Sequence, residues 1–309
     1  MKKHFRITLL LIVVLCADCA FSQTPIALDS LNSNSQSSSR VKWLAATGAT
    51  IYVGSMTGLY LMWYKDYPQS SFHFFDDNRE WLQMDKVGHA TTSYYLSQMG
   101  FSSCRWAGLS SKKATWWGGA TGFTYLTVIE ILDGFSSEWG FSTGDLISNA
   151  SGSLLFTGQQ LLWDEQRIMM KYSHQSTMES SLRPDLLGSN ASERWLKNYN
   201  GSTFWLSANV SSFLSKTSKF PKWLNVAVGY GASGMLGGNS NPSSYKGQSL
   251  PELDRRRQWY LSLDIDLRKI NTRFKTLNSI IHAFNFIKIP MPTIEFNQGD
   301  KTKLYWLYF

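Results

Sequence analysis

The chain has 309 residues, with 30 Lys and Arg against 22 Asp and Glu, a formal charge of +8 and an aromatic fraction of 15%. The basic residues are scattered, Arg255-Arg256-Arg257 being their longest run, which excludes a nucleic-acid footprint as the basis of function. Cys16 and Cys19 fall in an N-terminal leader, so a mature chain keeps Cys104 alone and no internal disulfide holds the fold. The 13 Trp, 14 Tyr and 18 Phe suit a protein that touches membrane interfaces, although large cores use aromatics too.

In chain order, Lys2, Lys3 and Arg6 precede an apolar run from Ile7 to Leu15 and then small residues, the pattern of a signal peptide over residues 1–22. Cleavage after Ser22 leaves Gln23 first and a net charge near +6. Leu15 and Asp18 stand where a small residue normally precedes a lipidated cysteine, which argues against lipid attachment at Cys16 or Cys19. Residues 23–40, rich in Ser and Asn, read as a flexible leader.

The segment Val41–Tyr64 is uncharged from Trp43 onward and has the length of a membrane-spanning or fully buried helix, with Gly54 and Gly58 as a small-xxx-small pair. Its Thr, Tyr, Val and Ile leave two short strands as an alternative. Apolar periodicity predicts three more helices, over about Asn78–Met99, Lys112–Ile131 and Thr143–Trp163, with Ser142 or Thr143 as cap and Asp145 in the first turn of the third. Short loops make them antiparallel neighbours. Residues 41–165 are therefore expected to form a membrane-associated bundle of about four helices.

Residues 166–198 read as a polar linker, after which the apolar period becomes two over 199–309. Trp259, Leu261, Leu263, Ile265 and Leu267 alternate with Tyr260, Ser262, Asp264, Asp266 and Arg268, a strand with one apolar face and one face turned to water. Four weaker strand candidates join it, the last ending on Tyr305, Leu307 and Phe309, like the closing strand of an outer-membrane barrel. Five strands fall short of the eight that the smallest membrane barrel needs. The fold class is α+β: a helical bundle followed by a β-rich antiparallel region.

Polar residues inside the helices carry the functional reading. Asp85 and His89 share a helix face, as do Glu130 with Asp133 and Asp145 with Asn149, and Lys86 adjoins the first pair. Groups this expensive to bury singly should meet one another. The ordered set "DKVGH", "IEILDG" and "GFSTGDLISNASG", over about Trp81–Leu162, resembles the YfiM-like family of predicted periplasmic lipoproteins, in the longer Bacteroidetes version, with a fainter likeness to VanZ-like membrane proteins. The family has no established activity, so the resemblance implies a fold and a residue set in a protein of the periplasm or outer membrane of a Gram-negative bacterium.

Three readings of the set are open. It can be a hydrogen-bond network of Asp85, Lys86, His89, Glu130, Asp133, Asp145 and Asn149 that fixes helix register. It can be a divalent metal site using His89, Glu130, Asp133 and Asp145. It can be an acid–base centre with Asp85, His89 and Glu130 as catalytic candidates. His73, Asp76 and Asp77 are weaker metal candidates, and Trp116-Trp117-Gly118-Gly119 is an interfacial anchor, a tight helix contact or core packing. The leading expectation is a structural or binding role at a membrane, with lipid or another envelope protein as partner; the rival is a metal-dependent or acid–base enzyme acting on lipid or cell-wall material.

Overall fold

The structure, a computed structural model, describes residues 34–65, 67–297 and 301–309. The expected signal peptide and most of the expected leader lie outside the described residues. Helix α1 (Asn34–Leu59) takes in the end of that leader and runs into a π-helical turn over Tyr60–Tyr64. Propagation adds one hydrogen bond per residue, so a helix formed by the apolar stretch extends back into the Ser-rich one. Leu59, Met56 and Tyr64 pack on the core while Trp43, Ile51 and Val53 are exposed. No helix among the described residues is long and apolar enough to cross a membrane.

The second helix starts later than its sequence suggests. Trp81, Leu82 and Gln83 have φ of 50, 50 and 64°, a left-handed backbone that costs bulky residues about 1 kcal/mol each. Distant groups hold it: Trp81 N–H donates to Gly238 O at 2.7 Å, Tyr230 donates to Leu82 O, and Arg257 donates to Gln83 Oε1 at 2.7 Å. Helix α2 (Met84–Trp106) follows at once. The single helix expected over Lys112–Ile131 is two, α3 (Ser111–Gly119) and α4 (Thr121–Gly134), broken after the poor helix formers Gly118 and Gly119. Helix α5 (Thr143–Trp163) has the bounds read from sequence, its cap Ser142 accepting from Asp145 N–H at 3.1 Å.

These helices meet through small and hydroxyl residues. A Cβ on Gly122 would lie 2.0 Å from Ser93 O, and one on Gly152 would lie 2.0 Å from Ala90 O. Ser93 donates to Asn149 O at 2.6 Å and shares a 2.9 Å contact with Ser153 Oγ. Close backbone approach with hydroxyls as glue is the packing style of helices in lipid.

Strand β1 (Ile168–His174) follows, inside the expected linker, and then come the short helices α6 (Glu179–Leu182), α7 (Pro184–Leu187) and α8 (Ala191–Lys197). Next are β2 (Ser202–Asn209), β3 (Leu224–Ser233), a small ribbon of β4 (Ser244–Tyr245) and β5 (Gln248–Ser249), β6 (Arg256–Ile265), helix α9 (Lys275–Ala283), β7 (Met291–Asn297) and β8 (Lys303–Tyr308). Six strands form one antiparallel sheet in the order β1-β2-β3-β6-β7-β8. It curls strongly: Ile287 bridges to Tyr172 of β1, and the Tyr308 hydroxyl of β8 lies 3.3 Å from Thr203 Oγ1 while accepting from Gln175 at 3.0 Å.

Register places Lys171, Trp205, Gly229, Tyr260 and Glu295 in one cross-strand row, on the concave face. That face is buried and combines an aromatic cluster of Trp205, Tyr260 and Tyr308 with polar pairs. Lys171 pairs with Asp264 at 2.8 Å, Ser207 donates to Asp264 at 2.6 Å, and Ser262 meets Thr293 at 2.7 Å. The expectation that the carboxylates of β6 face water is therefore corrected, since Asp264 and Asp266 are both 0% exposed. The apolar set faces outward instead: Trp259 is 51% exposed, Leu261 42%, and Trp306 78%.

Candidate functional site

The polar cluster sits where α2, α4 and α5 converge beneath the turn that leads into β2. The strained turn at Trp81–Gln83 delivers Asp85 and Lys86 in the first turn of α2, with His89 one turn on. Lys86 Nζ lies 2.6 Å from Asp77 Oδ1, 2.8 Å from Asp145 Oδ1 and 3.6 Å from Asp85 Oδ2. Ser142 ties the group together, donating to Asp77 Oδ1 at 2.6 Å while capping α5. His89 Nδ1 is 3.0 Å from Asn149 Oδ1 and 3.9 Å from Glu130 Oε1, and its Nε2 is 3.5 Å from Asp145 Oδ1. Tyr199, just before β2, donates to Asp85 Oδ1 at 2.9 Å.

Four buried carboxylates, Asp77, Asp85, Glu130 and Asp145, thus surround one ammonium and one imidazole. Burial opposes the Lys86 charge, yet Asp85, Asp145 and Asp77 hold its pKa above the ordinary lysine value. Burial likewise pushes the Asp145 carboxyl up to about 6; His89 and Lys86 pull it down while Asp85 and Asp77 push it further up. Burial and the adjacent Asp85 hold the Tyr199 phenol protonated. Asp85, His89 and Asp145 each offer one ligand atom, all within 4.8 Å of one another.

Of the residues singled out in the sequence, the fold brings together Asp85, Lys86, His89, Glu130, Asp145 and Asn149. Asp133 accepts from Tyr64 at 2.7 Å and lies outside the Asp85–His89–Asp145 group. Among the weaker candidates, His73 contacts Ser70 and Ser71, Asp76 accepts from Asn78, and Asp77 joins the cluster. Sequence reasoning missed Ser142 as a bridge and Tyr199 altogether. A capping Ser gives no sign of a second partner, and Tyr199 lies 114 residues from Asp85.

Residues 73–157 match a family model described as "Predicted periplasmic lipoprotein (DUF2279)". The matched stretch, a little over a quarter of the chain, is similar to this family. It is the family its motifs resemble, and the protein is accordingly an exported one of the periplasm or outer membrane; the fainter VanZ likeness finds no support. No curated protein and no solved structure matches the chain. The match spans the whole of α2 to α4 and most of α5, and so every cluster residue except Tyr199.

A second surface lies outside the matched segment. The outward sheet face presents Leu206, Val226, Val228, Trp259, Leu261, Leu263, Phe296, Leu304 and Trp306, all exposed. At the end where β2, β6 and β8 finish, α9 exposes Leu277 and Ile280, flanked by Phe274 and Phe284, and the β2–β3 loop exposes Phe213, Leu214 and Trp223. Lys216, Lys219 and Lys222 lie in that loop and Lys269, Arg273 and Lys275 beside α9, with no Asp or Glu in residues 210–223 or 267–288. A cavity of about 390 Å³, lined by Val87, Met170, Phe204, Leu206, Val228 and Trp259 among others, separates α2 from this face. Trp116 and Trp117 are exposed on the bundle, whereas Gly118 and Gly119 are buried in close contacts, a Cβ on them lying 2.2 Å from Phe101 N and 2.3 Å from Thr157 Oγ1.

Proposed function

We propose that this is a membrane-seated envelope protein with a structural or binding role, in which the convex face of the C-terminal sheet lies against lipid. One observation carries the reading: the sheet buries hydrogen-bonded carboxylates and hydroxyls among aromatic rings on its concave side and, beyond the part covered by the bundle, leaves large apolar side chains exposed on the other, the order that lipid demands. A contiguous apolar surface of this extent is unusual on a soluble monomer. The basic, aromatic rim suits anionic headgroups, and the exposed apolar stripe of α9 suits the depth just below them. The near-complete burial of Asp85, His89 and Asp145 favours a holding or binding role for the cluster over turnover of a substrate.

Fractionation of cells expressing the full chain tests this. The protein should sediment with membranes and be released by detergent but not by high salt. In the double variant Val228→Lys/Leu261→Lys, which adds charge to exposed positions, membrane association should fall while the variant stays folded in detergent. Recovery of the unaltered protein in the soluble periplasm would defeat the reading. A detergent-stable complex with one other envelope protein, without binding to vesicles, would assign the face to that protein instead.

A further inference from the structure

We propose that Asp85, His89 and Asp145 bind a divalent first-row transition-metal ion, with Asn149 as the positioning residue for the imidazole. The ligand atoms lie within 4.8 Å of one another, close enough for small side-chain rotations to bring all three to one ion at about 2.0–2.4 Å. The inference does not depend on the protein's seating in a membrane.

Proximity of acidic groups would not suffice, and two other observations point to a cation. The first is the state of the imidazole. Asn149 Oδ1 stands 3.0 Å from His89 Nδ1 and Nε2 turns toward Asp145 Oδ1 at 3.5 Å, so a ring that donates from Nδ1 to Asn149 offers Nε2 to an ion. A histidine that donates one ring N–H to a fixed oxygen and turns the other nitrogen inward is the arrangement by which proteins orient a metal ligand. The second is an orphan: Asp145 is 0% exposed and its Oδ2 has no hydrogen-bond partner, so the carboxylate whose Oδ1 faces the imidazole keeps a second, unused acceptor in the interior.

Charge supports the same conclusion. Asp77, Asp85, Glu130 and Asp145 outnumber Lys86 by three, and Lys86 is already engaged by Asp77 and Asp145. A divalent ion brings the buried excess to about one negative charge, which Tyr199 and the Ser142 hydroxyl and amide help to disperse. One imidazole with two carboxylates suits Mn²⁺, Fe²⁺ or Zn²⁺ better than Ca²⁺, which prefers oxygen ligands alone.

The test uses the full chain purified in detergent, stripped with chelator and titrated with Mn²⁺. About one ion per chain should bind, and its pulsed EPR spectrum should show nitrogen coupling from an imidazole. Asn149→Ala should weaken binding by about 10–100-fold and His89→Ala by more, while Glu165→Gln, on a partly exposed carboxylate far from the cluster, should leave it unchanged. Failure of the unaltered protein to bind Mn²⁺ stoichiometrically, or bound Mn²⁺ without nitrogen coupling, would overturn the proposal. These readouts come from the unaltered chain and stand whether or not a variant folds. Unchanged affinity in a folded His89→Ala protein would overturn it equally.

Discussion

Lys171 is fully buried in the middle of β1, with its ammonium 2.8 Å from Asp264 Oδ2 and donating to Ile265 O at 2.7 Å. Lys171→Met should therefore destabilise the protein by about 3–5 kcal/mol, because Asp264 is left charged and buried. Lys171→Met/Asp264→Leu should recover part of that loss in denaturant titrations, although Ser207 then loses its acceptor. His174, at the end of the same strand, is held neutral, since burial pushes its pKa down to about 4. The unfolded chain binds this proton at the ordinary histidine pKa near 6.5, so it takes up more protons than the folded chain between about pH 6.5 and 4. This contribution to stability is complete above pH 6.5 and is lost as pH falls to 4, up to about 3 kcal/mol. His174→Gln should flatten the pH dependence of the melting temperature in that window. At this scale the sequence is a partial guide: helical spacing joins Asp85 to His89 and Asp145 to Asn149, but Asp133 turns to Tyr64 instead, because spacing fixes a shared face and not the neighbour it meets.

Among the elements, α2, α4 and α5 depend on two close backbone approaches. Gly152→Ala places a methyl 2.0 Å from Ala90 O and Gly122→Ala one 2.0 Å from Ser93 O, contacts that only a helix displacement relieves. Each substitution should cost about 1–3 kcal/mol or more. Gly152→Ala should also lengthen the Asn149–His89 contact, visible as a changed histidine ring resonance. Helix α9 should behave oppositely: Leu277→Glu/Ile280→Glu replaces exposed apolar groups, so thermal stability in detergent should hold within about 0.5 kcal/mol while binding to anionic vesicles falls. Element boundaries were legible where local chemistry decides them. Helix α5, with a Ser cap and an acidic first turn, is read correctly to both ends, whereas α2 starts late because Gly238, Tyr230 and Arg257 impose a left-handed turn that no local signal announces. Strand β1 was hidden because Lys171 interrupts its apolar run, and its burial becomes intelligible only with Asp264, 93 residues away. The alternation in β6 was legible; which face points inward depends on the curl of the sheet.

Across the whole molecule, buried apolar cores coexist with hydrogen-bonded polar groups in the interior, and many large apolar residues remain outside: in the bundle Ser93, Ser97, Asn149 and Ser153 fill helix contacts while Ile147, Leu154 and Leu162 of α5 are exposed. If anionic lipid attracts the basic rim, vesicle binding should weaken with salt without vanishing, because the apolar face contributes a part that salt does not screen. A complete loss of binding in high salt would leave the sheet face without a lipid role.

The hydrogen bond from Tyr199 to Asp85 joins the stem of β2 to the first turn of α2. This phenol reaches the cluster itself, while Tyr230, Arg257 and Gly238 tie the turn just before it to the C-terminal unit. The bundle and the sheet should lose structure in one cooperative transition. Tyr199→Phe removes the bond while keeping the ring against Trp81, and should lower the melting temperature while helix and strand signals still melt together, because the ties from Tyr230 and Arg257 and the shared apolar core remain.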